Sequence, residues 1–376
     1  TLMTALYIHI PWCIKKCPYC DFNSHQKNGD LPEKAYIERL IADFNADLAS
    51  FPTHLPIQSI FIGGGTPSLF SAEAYVQLFA GLKQALAFAY DIEITLEANP
   101  GTVEQTRFND YRQLGINRLS LGIQSFDMKA LKRLGRIHDD KQAHRAIATA
   151  RKAGFDNINL DIMHGLPEQT MAQGLADLEQ ALSYDPEHLS WYQLTIEPNT
   201  LFYKKTPKLP EEHQLEMLET SGLALLEAHT LNRYEISAFA KPQKTAVHNV
   251  NYWLFGDYFG IGAGAHGKLS TQTEIYRTRK PKQPQSYLNA TTLLPYHTKL
   301  STADKVFEFM LNATRLNQPI AHQLFNERTK LPFSELKPKL EVAAAQHFID
   351  LSDTHWQVTS HGRRYTNDLQ ALFLSD

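Results

Sequence analysis

An α/β fold is predicted: six β–α units closing partway into a barrel, followed by a smaller α+β domain. Three observations lead there. Short β-type runs alternate with amphipathic helical segments over the first 200 residues. Their spacing suits right-handed crossovers between parallel strands. Polar residues able to do chemistry fall just after successive strands, and a barrel gathers such strand ends on one rim. A doubly wound sheet would concentrate them at its switch point instead, and periodicity alone does not choose between the two.

The first strand, residues 5–10, is stopped by Pro11, and a cysteine-bearing loop follows. Pro32 suits a first helical turn, and Tyr36, Ile37, Leu40, Ile41, Phe44 and Leu48 recur at helical spacing over 33–49. Further strands are expected at 58–62, 91–97, 116–123, 155–162 and 188–194, with helices at 72–89, 102–113, 139–153 and 170–184 between them. Leu201 to Pro210 is a Lys/Pro-rich connection, and 211–229 reads as helix. Residues 232–270 are rich in Gly, Asn, His and aromatics, and helical patterns return near 301–314 and 334–346. The expected division is therefore 1–200 for the partial barrel, 201–300 for a connecting region, and 301–376 for the C-terminal domain.

Composition excludes several function classes. With 43% hydrophobic and 20% charged residues, the chain can bury a sizeable core, which sets aside fibrous and disordered classes. Lys plus Arg is 37 against 40 for Asp plus Glu, a formal charge of −3, so no nucleic-acid partner is expected. No apolar run approaches the ~20 residues of a membrane span, and no basic-then-apolar signal segment opens the chain. A cytoplasmic location is expected, with peripheral membrane contact left open because it needs only a surface patch.

The chain's three cysteines, Cys13, Cys17 and Cys20, form C-x3-C-x2-C within eight residues. An odd, clustered set argues against a disulfide framework. Structural zinc normally takes four protein ligands. Three thiolates on one loop suit three irons of a [4Fe-4S] cluster, leaving the fourth iron for a small molecule. Zinc and a redox pair remain open on spacing alone. Gly63-Gly64-Gly65 follows the second strand, where backbone groups free of Cβ atoms approach a ligand closely. A tight turn is the plainer alternative. No Gly-Lys-Ser/Thr follows, which excludes a phosphate loop. Gly262-Ala-Gly264-Ala-His-Gly267 matches the dinucleotide pattern formally, but it sits after the α/β repeats and opens no helix.

Tyr7-Ile-His-Ile-Pro-Trp-Cys13-x-x-x-Cys17-Pro-Tyr-Cys20 resembles the cluster loop of radical S-adenosylmethionine (SAM) enzymes. Within that superfamily the chain resembles the oxygen-independent coproporphyrinogen III oxidase group, through Gly63-Gly-Gly-Thr-Pro-Ser, Leu119-Ser-Leu-Gly-Ile-Gln124-Ser-Phe, Asn159-Leu-Asp161-Ile-Met-His-Gly-Leu-Pro and Phe259-Gly-Ile-Gly-Ala-Gly-Ala-His266. The resemblance implies a TIM-like partial (β/α)6 barrel, a [4Fe-4S] cluster on Cys13, Cys17 and Cys20, and SAM on its fourth iron. Tyr7, Gly64, Gly65, Thr66, Glu97, Gln124, Arg136 and Asp161 match positions associated with SAM. The plainer alternatives are a strand-end charge for Glu97, a surface residue for Arg136 and a helix cap for Asp161.

Two departures narrow the resemblance. The decarboxylating oxidases carry a further cysteine two residues after the third, where this chain has Phe22. They also carry a segment ahead of the first strand that is not seen here. Both departures match a heme chaperone branch of the group, and His248-Asn249-Val-Asn-Tyr252-Trp253 resembles that branch's His-Asn-x-x-Tyr-Trp heme-binding motif. The expected partners are heme and heme-accepting proteins, membrane respiratory proteins among the candidates, and a homodimer is left open. The oxidase and a generic Fe–S electron carrier are the alternative classes. His9 and His266 are weaker candidates for the heme ligand. Because His248 lies far along the chain from the cysteines, it is expected in a part of the molecule separate from the cluster loop.

Overall fold

The computed structural model describes residues 2–292 and 296–375. Six strands stand side by side in sequence order, all parallel: β1 (Thr4–Ile10), β2 (Ile57–Gly64), β3 (Phe88–Ala98), β4 (Arg118–Gln124), β5 (Ile158–His164) and β6 (His188–Gln193). Each lies where the apolar runs place it, within three residues at either end. Strands buried on both faces read as near-continuous apolar runs, as Leu6, Ile8 and Ile10 show beside fully buried Ile60 and Ile62.

Between them run α1 (Glu33–Ser50), α2 (Ala72–Ala85), α3 (Asp140–Lys152) and α4 (Met171–Ser183). Ser71 caps α2 by accepting from the Ala74 N–H at 3.2 Å, and Asp139 and Thr170 close capping boxes on α3 and α4. The expected helix at 72–89 ends early. Leu86 turns extended, at φ −155°, so that Phe88 can open β3. The segment expected as one helix at 102–113 is two short ones, Thr102–Gln105 and Phe108–Gln113.

Beyond a further helix, α5 (Glu212–Ala228), three short strands extend the sheet: β7 (Asn232–Arg233), β8 (Ala238–Ala240) and β9 (Phe259–Ile261). The strand order is β9-β1-β2-β3-β4-β5-β6-β8-β7, with β8 and β7 antiparallel and β9 parallel to β1. Among the described residues the two edge strands are not paired with each other, so the sheet is an open partial barrel. The short helix α6 (Val247–Trp253) lies between β8 and β9 in the chain and packs on β2.

A separate core gathers Phe255, Phe309, Phe325, Leu340 and Trp356 from the later helices and two small antiparallel sheets, giving the expected α+β region. Segment 262–287 is fastened to the barrel through α1. The Lys280 ammonium, 3% exposed, bonds both Asp47 oxygens at 2.9 and 3.0 Å and also reaches Asp43. Tyr287 donates to Asp43 at 2.6 Å. Buried charges of this kind are tolerated only when paired and hydrogen-bonded.

Candidate functional site

Strand ends and the cysteine loop enclose a cavity of about 340 Å³, within the ~300–1,000 Å³ range of ligand sites. Cys13, Cys17 and Cys20 line one side of it, with Gly64, Gly65 and Thr66, Glu97, Gln124, Arg136 and Asp161 around them. Seven of the eight residues singled out for SAM therefore share one cavity with the three thiols.

The glycine turn wraps closely around the end of β1. The Gly65 and Thr66 N–H groups donate to the carbonyls of Ile10 and Trp12, both at 2.7 Å. A Cβ on Gly65 would run into the Trp12 carbonyl, and Gly64 stands at φ +113° with His9 and Ile10 within 2.9 Å of its missing Cβ. Only glycine fits both positions, so the segment is the tight turn of the plainer reading, packed on the end of β1 and lining the cavity.

Glu97 and Asp161 are two carboxylates inside the barrel. Burial, then the charge of Asp161, pushes Glu97 up to about 8, and burial raises Asp161 as well. Asn159 donates to Asp161 at 2.9 Å, and its own Oδ1 lies 2.6 Å from His188 Nδ1. Glu97 does stand at the end of β3, as the strand-end reading has it, whereas Asp161 lies within β5 and caps no helix. Arg136 is held by Nη2 bonds to Asn99 Oδ1 and the Gly122 carbonyl, both 2.9 Å, while Nη1 approaches Cys17 Sγ at 3.6 Å. Its Nε is buried and makes no hydrogen bond among the described residues. Gln124 ends β4 at φ +67°, a conformation L residues rarely adopt, with its Oε1 accepting from Tyr192 at 3.0 Å.

The thiols are free, and among the described residues no three His, Cys, Asp or Glu side chains converge on one ion. A cubane makes a different demand, one thiolate for each of three irons, and a three-cysteine loop on a glycine-floored cavity fits it.

Tyr7 is placed differently. It lines a second cavity, of about 600 Å³, together with His9, Tyr252, Tyr258, His248 and His266. Burial, then the Glu97 charge, holds its phenol well above the usual value. Lys16, Asp21 and Phe22 of the cysteine loop line both. His248 is therefore not remote from that loop, contrary to what its place in the sequence suggests.

His248 is 8% exposed. Its Nδ1 lies 2.9 Å from Ser59 Oγ, and its ring stacks on Phe61 at 5.5 Å. Glu93 accepts from the Val247 and His248 N–H groups at 2.9 and 3.2 Å, binding the start of α6 to the barrel interior. Burial, then the Arg118 charge, lowers His248 to about 4, so the imidazole is neutral at physiological pH. His9 offers no such atom, since Nδ1 is 2.8 Å from the Tyr7 hydroxyl and Nε2 is 2.7 Å from the Asn23 carbonyl. Tyr252 and Trp253 meet edge to face at 4.8 Å; Tyr252 lines the cavity, whereas Trp253 packs on the second core under Arg315. Asn249, half-buried, is not among the residues lining it.

Sequence reasoning missed Asn99, Ser59, Glu93 and Asn23. Asn99 carried a signal, because Asn-Pro-Gly after a strand marks a rim turn; the others are single polar residues at ordinary spacing.

Comparison with known proteins places this arrangement. Residues 7–181 match the radical SAM superfamily and residues 300–365 the HemN C-terminal domain. The chain is 48% identical to heme chaperone HemW of Haemophilus influenzae and 46% identical to heme chaperone HemW of Escherichia coli, each over 99% of this chain and 98% of the relative. Heme chaperone HemW of Bacillus subtilis is 34% identical over the full length of both. The fold matches coproporphyrinogen III oxidase (HemN) from Escherichia coli with a TM-score of 0.82 at 21% identity, covering 99% of this chain and 90% of that one. This is a radical SAM protein with a HemN-type C-terminal domain. Within that class the chain belongs to the HemW family.

Proposed function

We propose that this chain binds heme in the second cavity and passes it to heme-accepting proteins, while the cysteine loop holds a [4Fe-4S] cluster with SAM beside it. One observation carries the heme assignment. A buried, neutral His248, oriented by Ser59, faces a cavity large enough for a drug-sized ligand and walled by aromatic rings. Imidazole is a common axial ligand of heme iron. Tyr252 and Tyr258 would pack on the macrocycle, with Asn249 and Trp253 supporting the short helix from outside the cavity.

In the first cavity, Cys13, Cys17 and Cys20 would hold three irons. Gly64, Gly65 and Thr66 would present backbone to the amino-acid part of SAM, and Arg136 Nε would meet its carboxylate. Glu97, Gln124 and Asp161 would accept from its ammonium and ribose hydroxyls. When reduced, the cluster would supply one electron to the sulfonium. Tyr7 would act from the second cavity, through its bond to His9 and its closeness in charge to Glu97.

The test is a heme titration and a coproporphyrinogen III assay on one anaerobic preparation. About one heme per chain, transferable to an apo-acceptor, is expected, with no carbon dioxide released from coproporphyrinogen III in the presence of SAM and reductant. Phe22, 66% exposed, stands where the oxidases carry their extra thiol. SAM-dependent decarboxylation without heme binding would overturn the proposal.

A further inference from the structure

We infer that Lys16 and Lys282 form a clamp at the mouth of the second cavity for the two carboxylates of the tetrapyrrole. The inference rests on the heme-carrying reading and adds to it how the ligand is oriented. The cavity runs from buried to exposed. His248 lies within it, Tyr252, Tyr258 and Phe22 stand along it, and Lys16 and Lys282 are both exposed. An ionised carboxylate buried without a partner is costly, so a heme whose iron sits against His248 must turn its propionates toward the mouth, where the ammonium groups stand.

The two lysines come from distant parts of the chain, and one side chain joins their segments. Asn23 Nδ2 donates to the Lys282 carbonyl at 2.9 Å and to the Ala263 carbonyl at 3.1 Å, fastening the cysteine loop to segment 263–282. The field there is positive. After burial, Lys16 is what lowers His25, and Lys282, Arg277 and Arg279 are what lower His266. Asp21 is the acidic residue on this rim, one carboxylate against two ammonium groups. Lys16 also lies between Cys13 and Cys17, so a propionate bound there bears directly on the loop that carries the thiols.

The test compares ferric heme with its dimethyl ester, which keeps the iron and macrocycle but loses both charges. Both are titrated into the wild-type protein, the K16A/K282A double variant and the K16R/K282R double variant. The clamp predicts that the wild type prefers the free acid about fivefold to tenfold, that the alanine variant loses this preference by weakening the free acid alone, and that arginine restores it. Equal affinity of the wild type for acid and ester, or an equal loss for both ligands in the alanine variant, overturns the clamp while leaving heme binding intact. Failure of the wild type to bind either ligand removes the heme-carrying reading, and the clamp with it. Iron and sulfide content checks the loop in each variant, and K282A alone, outside the loop, repeats the comparison if K16A disturbs it.

Discussion

Ser59 Oγ lies 2.9 Å from His248 Nδ1, a buried bond between residues 189 positions apart that ties the short helix α6 to the second barrel strand. It occupies Nδ1, and in the proposed heme complex Nε2 would be the nitrogen that meets the iron. Partners of this kind orient a metal-binding imidazole, and losing one typically costs about tenfold to a hundredfold in affinity. Ser59→Ala is expected to weaken heme binding about tenfold and to broaden the Soret band, with the protein still folded. Titration by absorbance checks this, and an unchanged affinity would mean that Ser59 only fills space.

The cysteine loop gives the second expectation. Cys13→Ala, Cys17→Ala and Cys20→Ala should each lower iron and acid-labile sulfide from about four per chain to well below one after anaerobic reconstitution, because three irons need three thiolates. Stoichiometric zinc with no sulfide in the unaltered protein would contradict the cluster.

Glu97 sets a pH dependence. Its folded pKa of about 8 lies above the ordinary 4.5, so the folded chain holds a proton there that the unfolded chain has released. Stability of the ligand-free protein should therefore fall as pH rises from about 4.5 to 8. Glu97→Gln removes that slope. It is expected to stabilise the protein by on the order of 2 kcal/mol at pH 8 and to leave it nearly unchanged at pH 5. Thermal melts at the two pH values decide; equal effects at both would contradict the assignment.

Lys280 joins the segment 262–287 to α1 through Asp43 and Asp47. Lys280→Met strands two buried carboxylates and should destabilise the protein by about 3–5 kcal/mol at pH 7.5. Asp47 is already pushed up to about 6 by burial, against the pull of Lys280. Without that ammonium Asp47 protonates more readily still, so the deficit should shrink at pH 5. Denaturant unfolding at both pH values measures it.

Much of this was legible in the sequence, and the omissions have physical causes. The six parallel strands announced themselves as short apolar runs alternating with helical segments, most of them bounded by Gly, Pro or Asn. β9 did not, because Phe259–Ile261 is three residues with a glycine at its centre, too short to show a period, and it joins the sheet by pairing with β1. The cysteine, glycine, Glu97 and Gln124 positions stood out because they sit at or just after strand ends, and Asp161 because a lone carboxylate interrupts the apolar run of β5. The company of His248 was not. Phe61 and Ser59 are ordinary strand residues, and only the return of the chain after β8 brings α6 onto them. The same return brings Lys282 to the cysteine loop, a meeting that no spacing in the sequence foretells.

The central claim is that His248 holds heme in a cavity that adjoins the cysteine loop without sharing its thiols. The direct measurement is heme titration of His248→Ala, with iron and sulfide determined on the same sample. The expected result is a shifted Soret band and at least about a tenfold loss of heme affinity, with four-iron cluster content and SAM binding retained. A variant that binds heme with the wild-type spectrum and affinity would contradict the account.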